Sequence, residues 1–221
     1  MSTGGNTVPA TGTLERLRAT RVIAVVRAND CEEAIAIAEA LAAGGLEAIE
    51  LTFTTPGVDT AMVEVRRRLG HKLMLGAGTI TTSAHVTAAV AAGADFLVSP
   101  HLDLELLNEM LGTGLLSVPG VLTPSEVAAA TRTGAMVVKL FPASTVGVAH
   151  LQALLGPFPG LQVVPTGGIS PTTAKQWLDA GAVAVGLGGE LLPRALRQAH
   201  AWDQISHNAS ELLGKLREKQ A

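Results

Sequence analysis

The run Met136-Val137-Val138-Lys139-Leu140-Phe141-Pro142 is apolar on both of the faces a strand presents, and a single lysine interrupts it. A strand without polar alternation is covered on both sides, as in a parallel sheet flanked by helices. Seven further stretches read as strands, at 21–27, 48–53, 73–79, 96–100, 115–119, 162–166 and 182–187. Between them lie Ala- and Leu-rich segments with helical spacing, such as 31–43, 58–69, 83–92 and 124–133. Gly44-Gly45, Gly70, Gly93, Gly134 and Gly181 stand where those helices should stop. Thr55-Pro56, Thr123-Pro124 and Ser170-Pro171 read as helix openings, a hydroxyl as N-cap with proline in the first turn.

Eight β–α units in about 200 residues fit a compact (β/α)8 barrel. A doubly wound open sheet is the competing α/β architecture. It often carries a glycine-rich fingerprint after its first strand, whereas here that strand runs into Arg27-Ala28-Asn29-Asp30. The expected fold is therefore α/β, a (β/α)8 TIM barrel in a single domain with a short N-terminal helix. The small and polar residues of MSTGGNTVPATGT predict a flexible tail over 1–12, with the barrel domain over 13–221.

Composition narrows the function. The 221 residues carry 16 Lys+Arg against 19 Asp+Glu, a net charge of -3, and no Lys/Arg-rich block. That leaves no electrostatic footprint for nucleic acid. Mean hydropathy is +0.36, yet no apolar run reaches the ~18 residues of a membrane-spanning helix. The longest candidate, 182–189, stops at Glu190. The opening residues have neither the basic nor the apolar region of a secretion signal. The single cysteine, Cys31, gives no intrachain disulfide and no cysteine-based zinc site, and at a helix start it reads as a small buried or capping residue. The expectation is a soluble cytoplasmic protein.

In such a barrel, polar residues at the C-terminal ends of strands face the active-site mouth. Those ends supply Arg27, Glu50, Thr52, Thr79, Ser99, Lys139 and Thr166-Gly167-Gly168. Of the five lysines, only Lys139 stands inside an apolar strand. Burial disfavours a charged lysine and favours the neutral, nucleophilic amine. In Ala48-Ile49-Glu50-Leu51-Thr52-Phe53 the alternation turns Ile49, Leu51 and Phe53 to the helices and Glu50 and Thr52 to the barrel interior. A buried carboxylate there can move protons.

An interior lysine and glutamate suggest Schiff-base chemistry on a carbonyl substrate. A structural ion pair between the two is the alternative. The chain has no tyrosine, so the strongest proton shuttle in the sequence is Glu50. The six histidines have no metal-binding spacing, and no metal is expected. Thr166-Gly167-Gly168-Ile169-Ser170 and Gly186-Leu187-Gly188-Gly189 follow the last two strands, where barrels often cradle phosphate on backbone N–H groups.

Seven motifs, in order, resemble the 2-keto-3-deoxy-6-phosphogluconate (KDPG) and 4-hydroxy-2-oxoglutarate aldolases. They are Ile49-Glu50-Leu51-Thr52-Phe53-Thr54-Thr55-Pro56, Gly76-Ala77-Gly78-Thr79, Val98-Ser99-Pro100-His101-Leu102-Asp103, Pro119-Gly120-Val121-Leu122-Thr123-Pro124, Lys139-Leu140-Phe141-Pro142-Ala143, Gly156-Pro157-Phe158-Pro159 and Pro165-Thr166-Gly167-Gly168-Ile169. The resemblance runs from about Leu14 to about Leu216 and implies a class I pyruvate aldolase, a carbon–carbon lyase. Its substrates would be 2-keto-3-deoxy sugar acid phosphates and pyruvate, with no cofactor, in a homotrimer. Lys139 matches the Schiff-base lysine and Glu50 the general acid/base. Thr79 matches the pyruvate contact, Thr166 the aldehyde side, and Pro100 and Phe141 the apolar wall. Gly167, Gly168 and Gly188 match the phosphate cradle.

Two departures matter. Some relatives carry a carboxylate-binding arginine where Thr54 stands; Arg27, at the end of the first strand, resembles an arginine that other branches carry there and is expected to take over the carboxylate, which a guanidinium can bind bidentately. Gly189 replaces a phosphate-binding serine and is followed by Glu190, which strand-end alternation directs outward. The implied reaction is KDPG cleavage to pyruvate and glyceraldehyde 3-phosphate, with 4-hydroxy-2-oxoglutarate as a further substrate. The galactonate-specific branch of the family and a phosphate-binding barrel isomerase or synthase without a Schiff base are the alternatives. A structural barrel or sugar-phosphate sensor is the non-enzymatic one.

Overall fold

In the computed structural model, which describes residues 9–217, parallel strands alternate with helices along the chain. The strands are β1 (Val22–Val26), β2 (Ala48–Thr52), β3 (Met74–Gly78), β4 (Phe96–Val98), β5 (Leu116–Val118), β6 (Gly120–Val121), β7 (Val138–Leu140), β8 (Val163–Pro165) and β9 (Val185–Leu187). Pairing runs β5-β4-β3-β2-β1-β9 in one sheet and β6-β7-β8 in the other. A parallel bridge from Thr166 to Gly186 joins β8 to β9 and closes the ring. β5 and β6 are two halves of one stave, split at Pro119, which has no N–H to give to a ladder. The result is an eight-stave (β/α)8 barrel.

The helices are α1 (Ala10–Thr20), α2 (Cys31–Ala43), α3 (Val58–Leu69), α4 (Ser83–Ala91), α5 (Leu104–Gly112), α6 (Pro124–Thr133), α7 (Ala143–Leu155), α8 (Ala174–Asp179), α9 (Arg194–Gln198) and α10 (Trp202–Arg217). Local chemistry fixes several starts. Thr123 and Glu126 form a capping box ahead of Pro124. Asp30 caps α2 through Glu33 N, so Cys31 follows the cap and does not itself cap. Thr55 does not cap α3, because Gly57 takes that place and the buried Thr55 hydroxyl accepts from Ala28 N instead. After Ser170-Pro171 the chain makes a turn, with Ser170 Oγ accepting from Thr173 N, before α8 begins at Ala174. Of the tail expected over 1–12, residues 1–8 lie outside the described residues, and 10–12 belong to α1 because the helix follows directly on Pro9.

Period-two alternation divides the core in two. Ile49, Leu51, Val22, Ala24 and Val26 pack outward against helices, with Ile37, Leu41 and Met62 in the same cluster. Ile23, Ala48, Met74, Phe96, Val98, Leu116, Val118, Val137 and Val164 form the second cluster, along the barrel axis. Leu14 and Leu17 of α1 join that axial cluster and close the N-terminal end. The lower barrel is filled with apolar side chains, so polar groups on the same inward face collect at the C-terminal mouth.

Candidate active site

Glu50 continues the inward set Ala48, Glu50, Thr52 on β2, beside Val25 on β1 and Gly76 on β3. Lys139 continues the set begun by Val137, with Gly120 and Val164 as its strand neighbours. β2 and β7 stand four staves apart in an eight-stave ring, so the two side chains approach across the barrel axis. Their tips meet with Lys139 Nζ 3.9 Å from Glu50 Oε1. Both residues are nearly closed to solvent, at 6% and 2% exposure. The ammonium position also lies 5.0 Å from the centre of the Phe141 ring.

At 3.9 Å the pair attracts without a hydrogen bond, and Glu50 Oε1 is buried with no hydrogen-bond partner. Burial pushes the Glu50 carboxyl above its ordinary pKa, and the charges of Lys139 and Arg27 offset part of that rise. A carboxyl held in this way can take and return protons.

A cavity of about 760 Å³ opens over the pair. It brings together the residues given a site role from the sequence: Lys139 and Glu50; Arg27, Thr79, Pro100, Phe141 and Thr166; and Gly167, Gly168, Gly188 and Gly189. Ser99, expected at the mouth with them, is buried outside the cavity lining, its hydroxyl donating to His101 O. They come from the ends of different strands and meet only in the closed barrel. Thr79 sits at φ +56°, an unusual conformation for a β-branched residue, and its strain is held at the cavity wall. Gly167 and Gly168 have φ of +95° and +70°, which lets the chain fold tightly around the cradle. Thr54 lines the cavity with its hydroxyl 2.9 Å from that of Thr52. Thr52 in turn donates to Val26 O.

Glu190 stands exposed at the cavity rim. The strand stops at Leu187, and Gly188-Gly189 carries the chain round before Glu190, so alternation no longer applies there. The sequence reading missed Asn29, Leu192 and Arg197 as site residues, and these also line the cavity. Arg197 sits on α9, a helix of five residues, and no periodic signal marks so short an element. Among the described residues, no three His, Cys, Asp or Glu side chains converge in a way that could hold a metal ion.

A family model described as KDPG and KHG aldolase matches residues 14–208. The 2-dehydro-3-deoxy-phosphogluconate aldolase of Pseudomonas aeruginosa is 36% identical over 202 residues, 91% of either chain. The 2-dehydro-3-deoxy-6-phosphogalactonate aldolase of Escherichia coli is 31% identical over 171 residues, 77% of this chain and 83% of that one. The crystal structure of KDPG aldolase from Legionella pneumophila, with pyruvate captured as a covalent carbinolamine intermediate, aligns with a TM-score of 0.83. It shares 32% identity over 89% of this chain and 95% of that one. The family match runs from within α1 into α10 and takes in all eight staves, so the chain belongs to the KDPG and KHG aldolase family.

Proposed function

We propose that the protein is a class I aldolase that reversibly cleaves 2-keto-3-deoxy-6-phosphogluconate to pyruvate and glyceraldehyde 3-phosphate. The observation that carries this reading is the buried Lys139 amine 3.9 Å from the Glu50 carboxyl at the barrel mouth. The neutral amine attacks the C2 carbonyl and gives a carbinolamine. Glu50 delivers the proton that lets hydroxide leave as water, and a protonated imine forms on Lys139. Glu50, now a carboxylate, takes the C4 hydroxyl proton. The C3–C4 bond breaks, its electron pair neutralises the iminium as an enamine, and the aldehyde half departs. A proton returns to C3, and water hydrolyses the imine to pyruvate and the free amine.

The other cavity residues take roles in the same proposal. Arg27 binds the pyruvate carboxylate in a fork-to-fork contact. Thr79 holds the pyruvate unit, while Pro100 and Phe141 wall the imine. Thr166 faces the aldehyde half. Gly167, Gly168, Gly188 and Gly189 present backbone N–H groups to its phosphate. A second reading, the C4 epimer in place of the gluconate-derived substrate, is favoured by the likeness to the E. coli phosphogalactonate enzyme. The same machinery would cleave 4-hydroxy-2-oxoglutarate to pyruvate and glyoxylate. No helix of the described residues is long and apolar enough to cross a membrane. A cytoplasmic homotrimer completes the proposal, supported by the lone cysteine and by the family resemblance.

Borohydride reduction with pyruvate, followed by peptide mass spectrometry, tests it. A reduced pyruvate adduct on Lys139 alone is the expected result. A folded protein that traps no pyruvate, beside a working control aldolase, would leave Lys139 as a structural or electrostatic group.

A further inference from the structure

The cavity lining contains three basic side chains, Lys139, Arg27 and Arg197. On the aldolase reading, Lys139 is consumed as the imine and Arg27 by the pyruvate carboxylate. That leaves Arg197 for a second anion.

Its surroundings suit that use. Arg197 Nη1 donates to Glu33 Oε1 at 3.0 Å, and more weakly to Arg27 O at 3.4 Å. Glu33 Oε2 is already engaged, accepting from Asn29 N at 2.6 Å. The guanidinium is thus pinned along one edge, while its Nε and Nη2 donors have no partner among the described residues. Arg197 lines the cavity and Glu33 does not, so the ion pair turns its positive end inward. The same cavity is lined by Gly188, Gly189 and the acidic Glu190. A cradle of neutral backbone N–H groups beside a carboxylate needs an opposing charge before it can favour a dianion.

We propose that Arg197 is a specificity-determining residue that selects a phosphorylated aldehyde half, with Glu33 holding it in place. This rests on the aldolase reading above and adds to it the residue that discriminates phosphate from hydroxyl. Donors on a guanidinium make charge-assisted bonds to a phosphate that an unphosphorylated triose cannot return.

The test is aldol addition of pyruvate to D-glyceraldehyde 3-phosphate and, separately, to D-glyceraldehyde, catalysed by wild type, Arg197→Met and Arg197→Lys. In Arg197→Met, kcat/KM for the phosphorylated aldehyde should fall about tenfold or more, the scale of losing hydrogen bonds to a charged group. For D-glyceraldehyde it should change less than about threefold, and Arg197→Lys should recover part of the phosphate preference. A parallel fall with both aldehydes, joined to a higher KM for pyruvate, would show that Arg197 only steadies the loop bearing Arg27. An unchanged preference would equally overturn the role. Pyruvate trapping separates the two levels: a wild type that forms no adduct overturns the aldolase reading itself. Normal trapping in wild type and variant confines any failure to Arg197.

Discussion

Glu50 fills the space beside Gly78 that a side chain would occupy, since a β-carbon there would overlap the carboxylate itself. Gly78 lies on β3, paired with Thr52 of β2, and so faces the barrel interior two residues above the partner of Glu50. Gly78→Ala should therefore displace the carboxyl while leaving the outer core untouched. A misplacement of about 1 Å can cost on the order of a hundredfold in rate, so we expect kcat to fall by one to two orders of magnitude with circular dichroism unchanged. Gly76→Ala provides the contrast, because its β-carbon would strike the Phe96 ring in the apolar lower barrel. Overpacking there should cost about 1–3 kcal/mol of stability. Equal turnover of Gly78→Ala and wild type would refute the packing argument.

The raised pKa of Glu50 makes a signed statement about stability. A carboxyl whose folded pKa exceeds its unfolded value binds more protons in the native state, so folding loses stability as pH rises between those values. The loss begins near the ordinary glutamate pKa, 4.5, and ends above the folded value. Glu50→Gln has no such titration. The difference in unfolding free energy, wild type minus Glu50→Gln, should therefore decline as pH rises above about 4 and level off once the folded value is passed. Chemical denaturation at a series of pH values measures it. A difference that grows with pH would mean that Lys139 and Arg27 outweigh burial.

Arg27 and Thr54 line the same cavity from the ends of neighbouring strands. If Arg27 binds the pyruvate carboxylate, Arg27→Ala should raise KM for pyruvate about tenfold to a hundredfold, the scale of losing hydrogen bonds to a charged group. Thr54→Arg, placed in the Arg27→Ala background, should restore part of that loss, since Thr54 stands where some relatives carry this arginine. The Thr54 side chain is exposed and its hydroxyl meets only that of Thr52, so the longer residue has room. An Arg27→Ala effect no larger than that of Arg67→Ala, on the exposed face of α3, would remove Arg27 from the binding site.

Much of this site was legible because period two survives in the strands that build it. The alternation around Glu50 turns it inward, and one lysine inside an apolar run marks Lys139. Legibility ended where periodicity did. Alternation does not reach Glu190, because two glycines separate it from the last ladder residue. Arg197 was unmarked because its partner Glu33 lies 164 positions away and α9 is too short to show a face. Thr55 and Ser170 looked like caps because hydroxyl-proline pairs open many helices, but the buried Thr55 hydroxyl is spent on the loop after β1. Pro119 looked like the end of a strand and is the break within one, since its O still accepts from Lys139 N.

The opposite end of the barrel should answer to stability alone. Arg66 reaches from α3 to Asp95, with Nη2 at 2.6 Å from Oδ2, both side chains largely buried at 13% and 14% exposure. The same guanidinium donates to the carbonyls of Gly70, Leu73 and Gly93. Asp95 Oδ2 also accepts from Leu75 N at 2.8 Å. This network ties together the N-terminal ends of β3 and β4, on the face away from the cavity. Removing one partner of a buried pair costs about 3–5 kcal/mol, and the residual exposure sets Arg66→Met toward the lower end. The variant should therefore unfold at a clearly lower denaturant concentration. Its kcat and its KM for pyruvate, measured where it is still folded, should stay within about twofold of wild type, because a barrel keeps its chemistry at the C-terminal face. A variant that loses turnover while remaining fully folded would mean that strain from the lower rim reaches Glu50 through β3.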